Sequence, residues 1–520
     1  MDKVDLASAL AEPYGSYFDI IGRNARVLGD SPALRDDAGE LSWADLGDKV
    51  ERIAAKLVEE GLEKGQAVAI LGTSTIAYAV VFLAAIRAGG VAAPLTTSAS
   101  AEQLEGMVCD SGARHIFIDR AKLKELGNGS FPGLTRIVMD EALDGWMAPP
   151  GTSAPAIEHG PEAPFNIIYS SGTTGTPKGI VHSHGMRWRQ FARTAESWLF
   201  KGLAVRSLAS TPLYSNTTMV AFLPALLAGG MVRITGKFDT LRWLENAQHD
   251  RTTITMLVPV QYQRLMDEPR FAEFDLSSLQ LKYCTSAPFS ADLKREVLAR
   301  MPGALLEIYS MTEGGVVCLL EAHKFPDKLH TVGRPAPGSE LRVLDDDERP
   351  LAVGQAGNLI GRSQTMMSGY KDRPEQTAQA YWRDPETGEM WQRMGDIGRI
   401  DEDGFVELVG RAKDMIISGG FNIYPVDLEN ALLEESDVLE AAVIGMPSRK
   451  WGETPVGFVR LGKNARDPSA IREAVNARLG KTQRLAQLHA IEHMPRSHIG
   501  KLLKSELREL AARHGAVNGV

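Results

Sequence analysis

Cysteine is scarce in this chain: 3 of 520 residues, Cys109, Cys284 and Cys318, with no CxxC pair among them. An odd, sparse count gives no sign of a metal cluster and fits a reducing, cytoplasmic setting, with the three thiols read as buried structural groups. A basic excess is also missing. Lys and Arg number 57 against 66 Asp and Glu, a net charge of −9. Nucleic-acid binders normally present a basic face, so no nucleic-acid partner is expected. Long apolar runs are absent too. The strongest, Ile76 to Ile86, ends at Arg87, well short of the roughly 20 residues that cross a bilayer. The opening stretch "MDKVDLASALAEPYG" has no apolar core of signal-peptide length. No integral membrane contact is expected.

What is present is an ordinary globular composition, 44% apolar and 24% charged. At 520 residues the chain exceeds what one hydrophobic core usually supports, so at least two domains are expected. "WADLGDKVERIAAKLVEE" spaces Ala44, Leu46, Val50, Ile53, Ala54 and Leu57 along one helical face. "QAVAILG" reads as a buried strand, "IAYAVVFLAAIRAGG" as a buried helix closed by glycine, and "VAAPL" as a second strand. This strand–helix–strand order is the α/β signature. The unit recurs: "FLAAIRAGG" (82–90) resembles "FLPALLAGG" (222–230), which suggests two similar α/β halves in one large domain. "GWMAPPGTSAPAIEHGPEAP" (145–164) reads as an exposed connector. From about residue 413 a different texture of alternating strands and helices runs for roughly a hundred residues, as in a small α+β domain.

One loop carries most of the chemistry. After the strand "FNIIYSS" comes "YSSGTTGTPKGIVHSH", residues 169–184. Gly172 and Gly175 let the backbone turn so that N–H groups converge on an anion. Ser170, Ser171, Thr173 and Thr174 add hydroxyl donors, and Lys178 adds charge. Phosphate is the natural ligand of such a loop. A Walker loop would need Ser or Thr after the lysine, where Gly179 stands. The other candidate, Gly480-Lys481-Thr482, lacks the earlier glycine, since position 475 is Val475. A GxGxxG dinucleotide fingerprint is absent from the loop. The "HAIEH" at 489–493 matches a zinc-protease pattern, but Pro495 follows closely and its alternation suits a strand, so zinc is not expected.

The loop resembles the phosphate-binding signature of the adenylate-forming superfamily, which includes acyl-CoA synthetases. The resemblance extends in order through five further motifs. "CTSAPFS" (284–290) is similar to the adenine-side segment, which implies Ser286, Ala287 and Pro288 beside the base. "EIYSMTEGG" (307–315) resembles the motif that implies Glu307 and Tyr309 at the nucleotide, Thr312 on phosphate and Glu313 on Mg²⁺. "WQRMGDIGRID" (391–401) resembles the ribose motif, giving Asp396 that role, and "GRAKDMIISGGFNIYP" (410–425) the hinge motif. There the resemblance implies Arg411 at the nucleotide, Lys413 as pivot, and Gly419 and Gly420 beside CoA. "PRSHIGKLLKSELRE" (495–509) resembles the terminal motif and implies Lys501 as the mobile catalytic lysine, with Thr312 and Glu313 as its catalytic companions.

The implied fold is α/β: a large N-terminal domain, 1–412, of two similar halves plus a β-subdomain, and a small mobile α+β domain, 413–520. The implied activity is an acyl-CoA synthetase that uses ATP, Mg²⁺ and CoA. A carboxylic acid becomes an acyl adenylate and then a thioester, with the small domain alternating between steps. Two rivals are an enzyme loading an acyl carrier protein and a non-catalytic nucleotide-binding regulator. CoA is preferred because the chain holds no carrier-like segment, and intact Lys501, Glu313 and Asp396 speak against the regulator. Tyr214, Ser215, Asn216, Ser310, Met311 and Gly314 are the implied acyl pocket. Many relatives carry histidine where Ser215 and Asn216 follow the aromatic residue, glycine where Ser310 stands and threonine where Met394 stands. Ser310 should raise the pocket floor or make it more polar. No arginine in either pocket segment pairs a second carboxylate, so a monocarboxylic acid is favoured.

Overall fold

The computed structural model describes residues 3–127, 129–170, 177–418, 421–448, 451–480, 483–497 and 501–513. The chain divides into two compact units. The first holds 1–329, 336–339 and 362–392; the second holds 330–335, 340–361 and 393–520.

The first unit contains the two α/β halves. In one sheet, strands 164–170, 91–95, 67–71, 115–118 and 135–138 lie side by side in parallel, and 178–183 and 369–370 extend it antiparallel. In another, strands 304–311, 281–284, 254–257, 206–209, 231–234 and 32–35 run parallel, with 314–321 antiparallel at one side and 40–42 at the other. The strands Ala67–Leu71 and Val91–Leu95 are buried at every position. That is why they read as continuous apolar runs and not as alternating ones.

The recurrent nine-residue pattern has a structural meaning. Its two copies end the helices Ile76–Arg87 and Asn216–Leu227, each followed by a strand, 91–95 in one sheet and 231–234 in the other. Thr75 and Ser215 cap the two helices with side-chain oxygens. Phe82, Leu83, Phe222 and Leu223 belong to one continuous core. The amphipathic helix Trp43–Glu59 turns the expected face inward and starts with a capping box between Ser42 and Asp45. The segment between Trp146 and Pro164 has no regular structure and is mostly exposed, pinned by buried Met147, Ala148 and Ala154.

The second unit contains strands 340–344, 357–361, 393–400 and 406–411, followed by a five-stranded sheet with helices Pro425–Leu433, Pro468–Arg478 and Lys504–Arg513. The HxxEH segment lies on and just after the strand Gln487–Ala490, which excludes the helical face a zinc site would need. Among the described residues no cluster of three metal-ligating side chains occurs, and no helix is long and apolar enough to cross a membrane. One expectation fails. Cys284 and Cys318 are buried, but Cys109 is exposed, because it occupies the solvent side of the helix Ala101–Ser111 whose inward positions are Leu104, Met107 and Val108.

Two local features fix the strand Ala304–Met311 and the turn it leads into. Lys282 is fully buried on the neighbouring strand and donates to the carbonyls of Met301, Pro302 and Gly303 at 3.0, 2.5 and 2.6 Å. This cage closes the connection entering strand 304–311. Burial lowers the Lys282 pKa to about 8. At the far end, Met311 pairs with Gly314 across the two-residue turn Thr312–Glu313. Gly314 has φ +92°, and a Cβ there would lie 2.3 Å from the carbonyl oxygen of Thr365. Only glycine satisfies both constraints.

Lys282→Met is expected to leave buried carbonyls unpaired and to lower unfolding free energy by about 2–4 kcal/mol, read from urea melts. Gly314→Ala is expected to displace the 365–366 segment and reduce Tm by several degrees, since backbone strain alone costs about 1–3 kcal/mol. Differential scanning fluorimetry on both variants checks these outcomes.

Candidate active site

The expected nucleotide and acyl residues of the first unit gather at the ends of strands. Ser286, Ala287 and Pro288 follow the carboxyl end of strand Leu281–Cys284, where ligands of open α/β sheets characteristically bind. Ser286 has φ +81°, uncommon for a residue with a Cβ, and its hydroxyl lies 2.6 Å from that of Thr217. Thr217 sits in the first turn of the helix capped by Ser215, so the pocket segment 214–216 and the adenine-side segment are tied together. Tyr214 is partly buried, Ser215 is buried, and Asn216 opens the helix.

Strand Ala304–Met311 carries Glu307, Tyr309, Ser310 and Met311 into the same region. Tyr309, Ser310 and Met311 are partly buried. Glu307 is different. Its carboxylate is 4% exposed and pairs with Lys294 at 2.5 Å, and burial outweighs that pairing to lift its pKa to about 7. The register shifts between Tyr309 and Met311, where Ser310 alone faces Gly315–Val317. Such a bulge re-aims side chains next to the turn.

Thr312 and Glu313 form the tip of this hairpin. The carbonyl of Glu313 accepts from Met367 N–H at 2.8 Å, and the Tyr370 hydroxyl donates to Glu313 Oε1 at 3.0 Å. The 365–371 segment is in turn bound to strand 178–183: Ser368 and Lys371 donate to the carbonyls of Val181 and Gly179. Burial first, then the Glu313 carboxylate, raises the Tyr370 pKa far above the tyrosine range, which keeps its hydroxyl a donor. Lys178 lies over the Tyr370 ring, 5.1 Å from its centroid. Ser170 ends the strand leading into the phosphate loop, while Ser171, Gly172, Thr173, Thr174 and Gly175 lie outside the described residues. The strands that bracket that loop, 164–170 and 178–183, are thereby joined to the Thr312–Glu313 turn.

Glu313 fits a magnesium ligand. It is a single carboxylate, partly exposed, with Oε1 held by a neutral hydroxyl. Magnesium keeps much of its water shell and takes one or two carboxylates plus phosphate oxygens, so no larger protein cage is required.

The second unit gathers the other set. Arg411 donates to Asp396 Oδ1 at 3.0 Å, and Asp396 is 8% exposed. Lys413 lies in the 3-10 turn Ala412–Asp414. Lys501 is anchored through its backbone: its carbonyl accepts from Ser497 N–H at 2.8 Å and its N–H donates to the Ser497 hydroxyl at 3.2 Å. Burial chiefly, then the positive charges of Arg411 and Lys413, hold the Lys501 pKa below the ordinary lysine range, against Asp396 and Asp414. Lys413 is lowered likewise by burial and Arg411. Four expected residues, Asp396, Arg411, Lys413 and Lys501, are thus electrostatic neighbours. Gly419 and Gly420 lie outside the described residues.

Sequence reading missed Tyr370, Thr217 and the buried pair His182–Arg187. The doubled histidine of "HSH" was the available sign for His182. Tyr370 and Thr217 carry none, because their partners lie 57 and 69 positions away.

Family models match over most of the chain: the AMP-binding enzyme model over residues 21–371 and the AMP-binding enzyme C-terminal domain over 427–501. A feruloyl-CoA synthase of an Amycolatopsis species is 32% identical over 497 residues, 94% of this chain and 97% of that protein. The indoleacetate–CoA ligase of Aromatoleum aromaticum is 30% identical over 521 residues, covering 95% and 98%. The crystal structure of ATP-bound MatB from Rhodopseudomonas palustris superposes with a TM-score of 0.82 at 28% identity, covering 95% of this chain and 99% of that one. The motifs, the hairpin geometry and these likenesses agree, and the chain belongs to the adenylate-forming AMP-binding enzymes, in their acyl-CoA synthetase branch.

Proposed function

We propose that this acyl-CoA synthetase activates a monocarboxylic acid, with aromatic and arylalkyl acids first among the candidates, and that it does so in the cytoplasm. The observation that carries the site assignment is the Thr312–Glu313 turn, clamped beside the strands that bracket the phosphate loop. The aromatic preference rests on the feruloyl and indoleacetate ligases among the relatives and on Tyr214 at the pocket segment.

In the first step a carboxylate oxygen of the acid attacks the α-phosphorus of ATP, and pyrophosphate leaves with the electron pair of the broken P–O bond. Positioning and charge neutralisation dominate such a step. Lys178, the loop residues 170–175 and the Thr312 hydroxyl hold the phosphates. Asp396 accepts from the ribose hydroxyls, and Arg411 adds positive charge. Glu313 would hold a magnesium ion, which would supply positive charge to the phosphate oxygens. Lys501 places its ammonium against the carboxylate and α-phosphate. In the second step the CoA thiolate attacks the acyl carbon of the mixed anhydride and AMP departs. Between the two steps the small domain, 413–520, turns about Lys413 and withdraws Lys501, and Gly419 and Gly420 let the pantetheine approach.

The substrate test is pyrophosphate release with ferulate, indoleacetate, cinnamate, benzoate and octanoate, each with CoA, and the mass of the product. An acyl-CoA mass with CoA as sole thiol supports the reading. Adenylate without thioester points to a carrier-protein acceptor. No acid-dependent pyrophosphate with any of the five acids rejects the substrate class.

Lys501→Ala is expected to lower pyrophosphate release on the order of 10²–10³-fold, with thioester formation from supplied acyl adenylate little changed. The exposed Lys463→Ala serves as control. Loss of both half-reactions together would count against confining Lys501 to adenylation.

Lys501 acts in its protonated form. Its pKa lies below the ordinary value, so activity falls as pH rises through that lowered pKa, earlier than for an exposed lysine. Asp414 works to raise this pKa, and Asp414→Asn is therefore expected to move the alkaline limb of the pH–rate profile to lower pH. An unmoved limb assigns it to another group.

A further inference from the structure

His182 is fully buried on strand Lys178–Ser183, and both its ring nitrogens are engaged. Nδ1 lies 2.9 Å from Arg187 Nη2, and Nε2 lies 2.7 Å from the carbonyl oxygen of Thr312. A guanidinium can only donate, so Nδ1 must accept. The ring proton is therefore on Nε2, which donates to Thr312. A doubly protonated ring would place an N–H against the guanidinium. Burial, and Arg187 beside it, accordingly hold the His182 pKa well below the usual histidine range.

Arg187 is itself built in. It is fully buried in the first turns of helix His184–Phe200. Its Nε donates to Asn166 Oδ1 and its Nη1 to Gln190 Oε1, each at 2.9 Å. Asn166 and His182 are cross-strand partners, and Arg187 spans them. Burial lowers the Arg187 pKa to about 9. Among the described residues its guanidinium hydrogen-bonds to the neutral side chains of His182, Asn166 and Gln190, so the arrangement is no ion pair. It is a donor chain: guanidinium to imidazole to carbonyl. A buried hydrogen bond whose donor is polarised by a neighbouring cation is strengthened.

The end of that chain is the peptide joining Thr312 to Glu313. Its carbonyl is gripped by His182, while the next carbonyl, of Glu313, is gripped by Met367. We propose that His182, locked in its Nε2–H tautomer by Arg187, is a positioning residue for adenylation. It fixes the Thr312–Glu313 peptide plane, and with it the Thr312 hydroxyl and the Glu313 carboxylate, against the sheet that carries the phosphate loop. The inference rests on the reading of Thr312 and Glu313 as adenylation residues.

The test uses two substitutions that divide the ring's functions. Gln places an amide nitrogen where Nε2 stands and reaches Thr312. Asn reaches only the Nδ1 position and faces Arg187. Acid-dependent pyrophosphate release is measured with the best acid of the five-acid panel, together with KM for that acid and Tm. His182→Asn is expected to lose about 10- to 100-fold in kcat, the scale of a small misplacement of reacting groups. KM for the acid should change less than about threefold, because the ground-state acid contacts are untouched. His182→Gln should stay within about fivefold of wild type, at a Tm matching the Asn variant. Equal kcat in the two variants, or a loss confined to KM, overturns the inference. His182→Leu, which fills the space without a donor, replaces Asn under the same criterion if Asn does not fold. Thr312→Val separates the underlying reading. If it keeps full pyrophosphate release, the role of Thr312 falls and the inference with it. If it is impaired while His182→Asn is fully active, the inference alone falls.

Discussion

The grip on a two-residue turn is the constraint around which the first unit is organised. Thr312 and Glu313 sit at the tip of a hairpin where a backbone free to swing would spoil any phosphate chemistry. Three independent hydrogen bonds hold it: His182 to the carbonyl of Thr312, Met367 to the carbonyl of Glu313, and Tyr370 to the Glu313 carboxylate. Each comes from, or is bonded to, the sheet that carries the phosphate loop. Gly314 completes the clamp by letting the 365–366 backbone approach within contact distance. Preorganisation of this kind matters because donors already in place cost no reorganisation at the moment of reaction.

The buried charges around the turn divide by chemical purpose. Lys282 and Arg187 are buried cations that donate to backbone carbonyls, side-chain amides or an imidazole. Each fixes backbone or side-chain geometry, Lys282 at the start of strand 304–311 and Arg187, through His182, just beyond its end. Glu307 faces Lys294 within the core beneath that strand. Removing either partner of such a pair would strand a charge away from water, which is strongly destabilising. In the second unit, burial chiefly, then Arg411 and Lys413, lower the Lys501 pKa, while Asp396 and Asp414 act to raise it.

Local chemistry made much of this protein legible from its sequence. Continuous apolar runs announced the buried strands, the helical face of 43–59 was readable from spacing, and a repeated nine-residue pattern marked equivalent helix ends in the two α/β halves. Glycines and hydroxyls around Lys178 announced phosphate, since backbone donors need small residues to converge on an anion. The order of six motifs pointed to the family. Glu307 was legible as a motif residue, but its commitment to Lys294 was not, because that pairing depends on helix Ala291–Arg300 packing under the strand. Cys109 was misjudged for a related reason: burial of a helical residue depends on which face meets the core, and its helix turns Cys109 outward.

Tertiary structure alone decided how the motif residues are held. His182 meets Thr312 across 130 positions, and Tyr370 meets Glu313 across 57. No period or propensity links such pairs, because the sheets that bring them together are set by the packing of the whole unit. The tautomer of His182 is likewise a tertiary property, fixed only once Arg187 offers a donor to Nδ1. The sequence by itself determined which chemistry is available, since that depends on residue types within short loops. The fold decided which atoms are oriented for it, since orientation depends on partners that the chain brings together only when its core is complete.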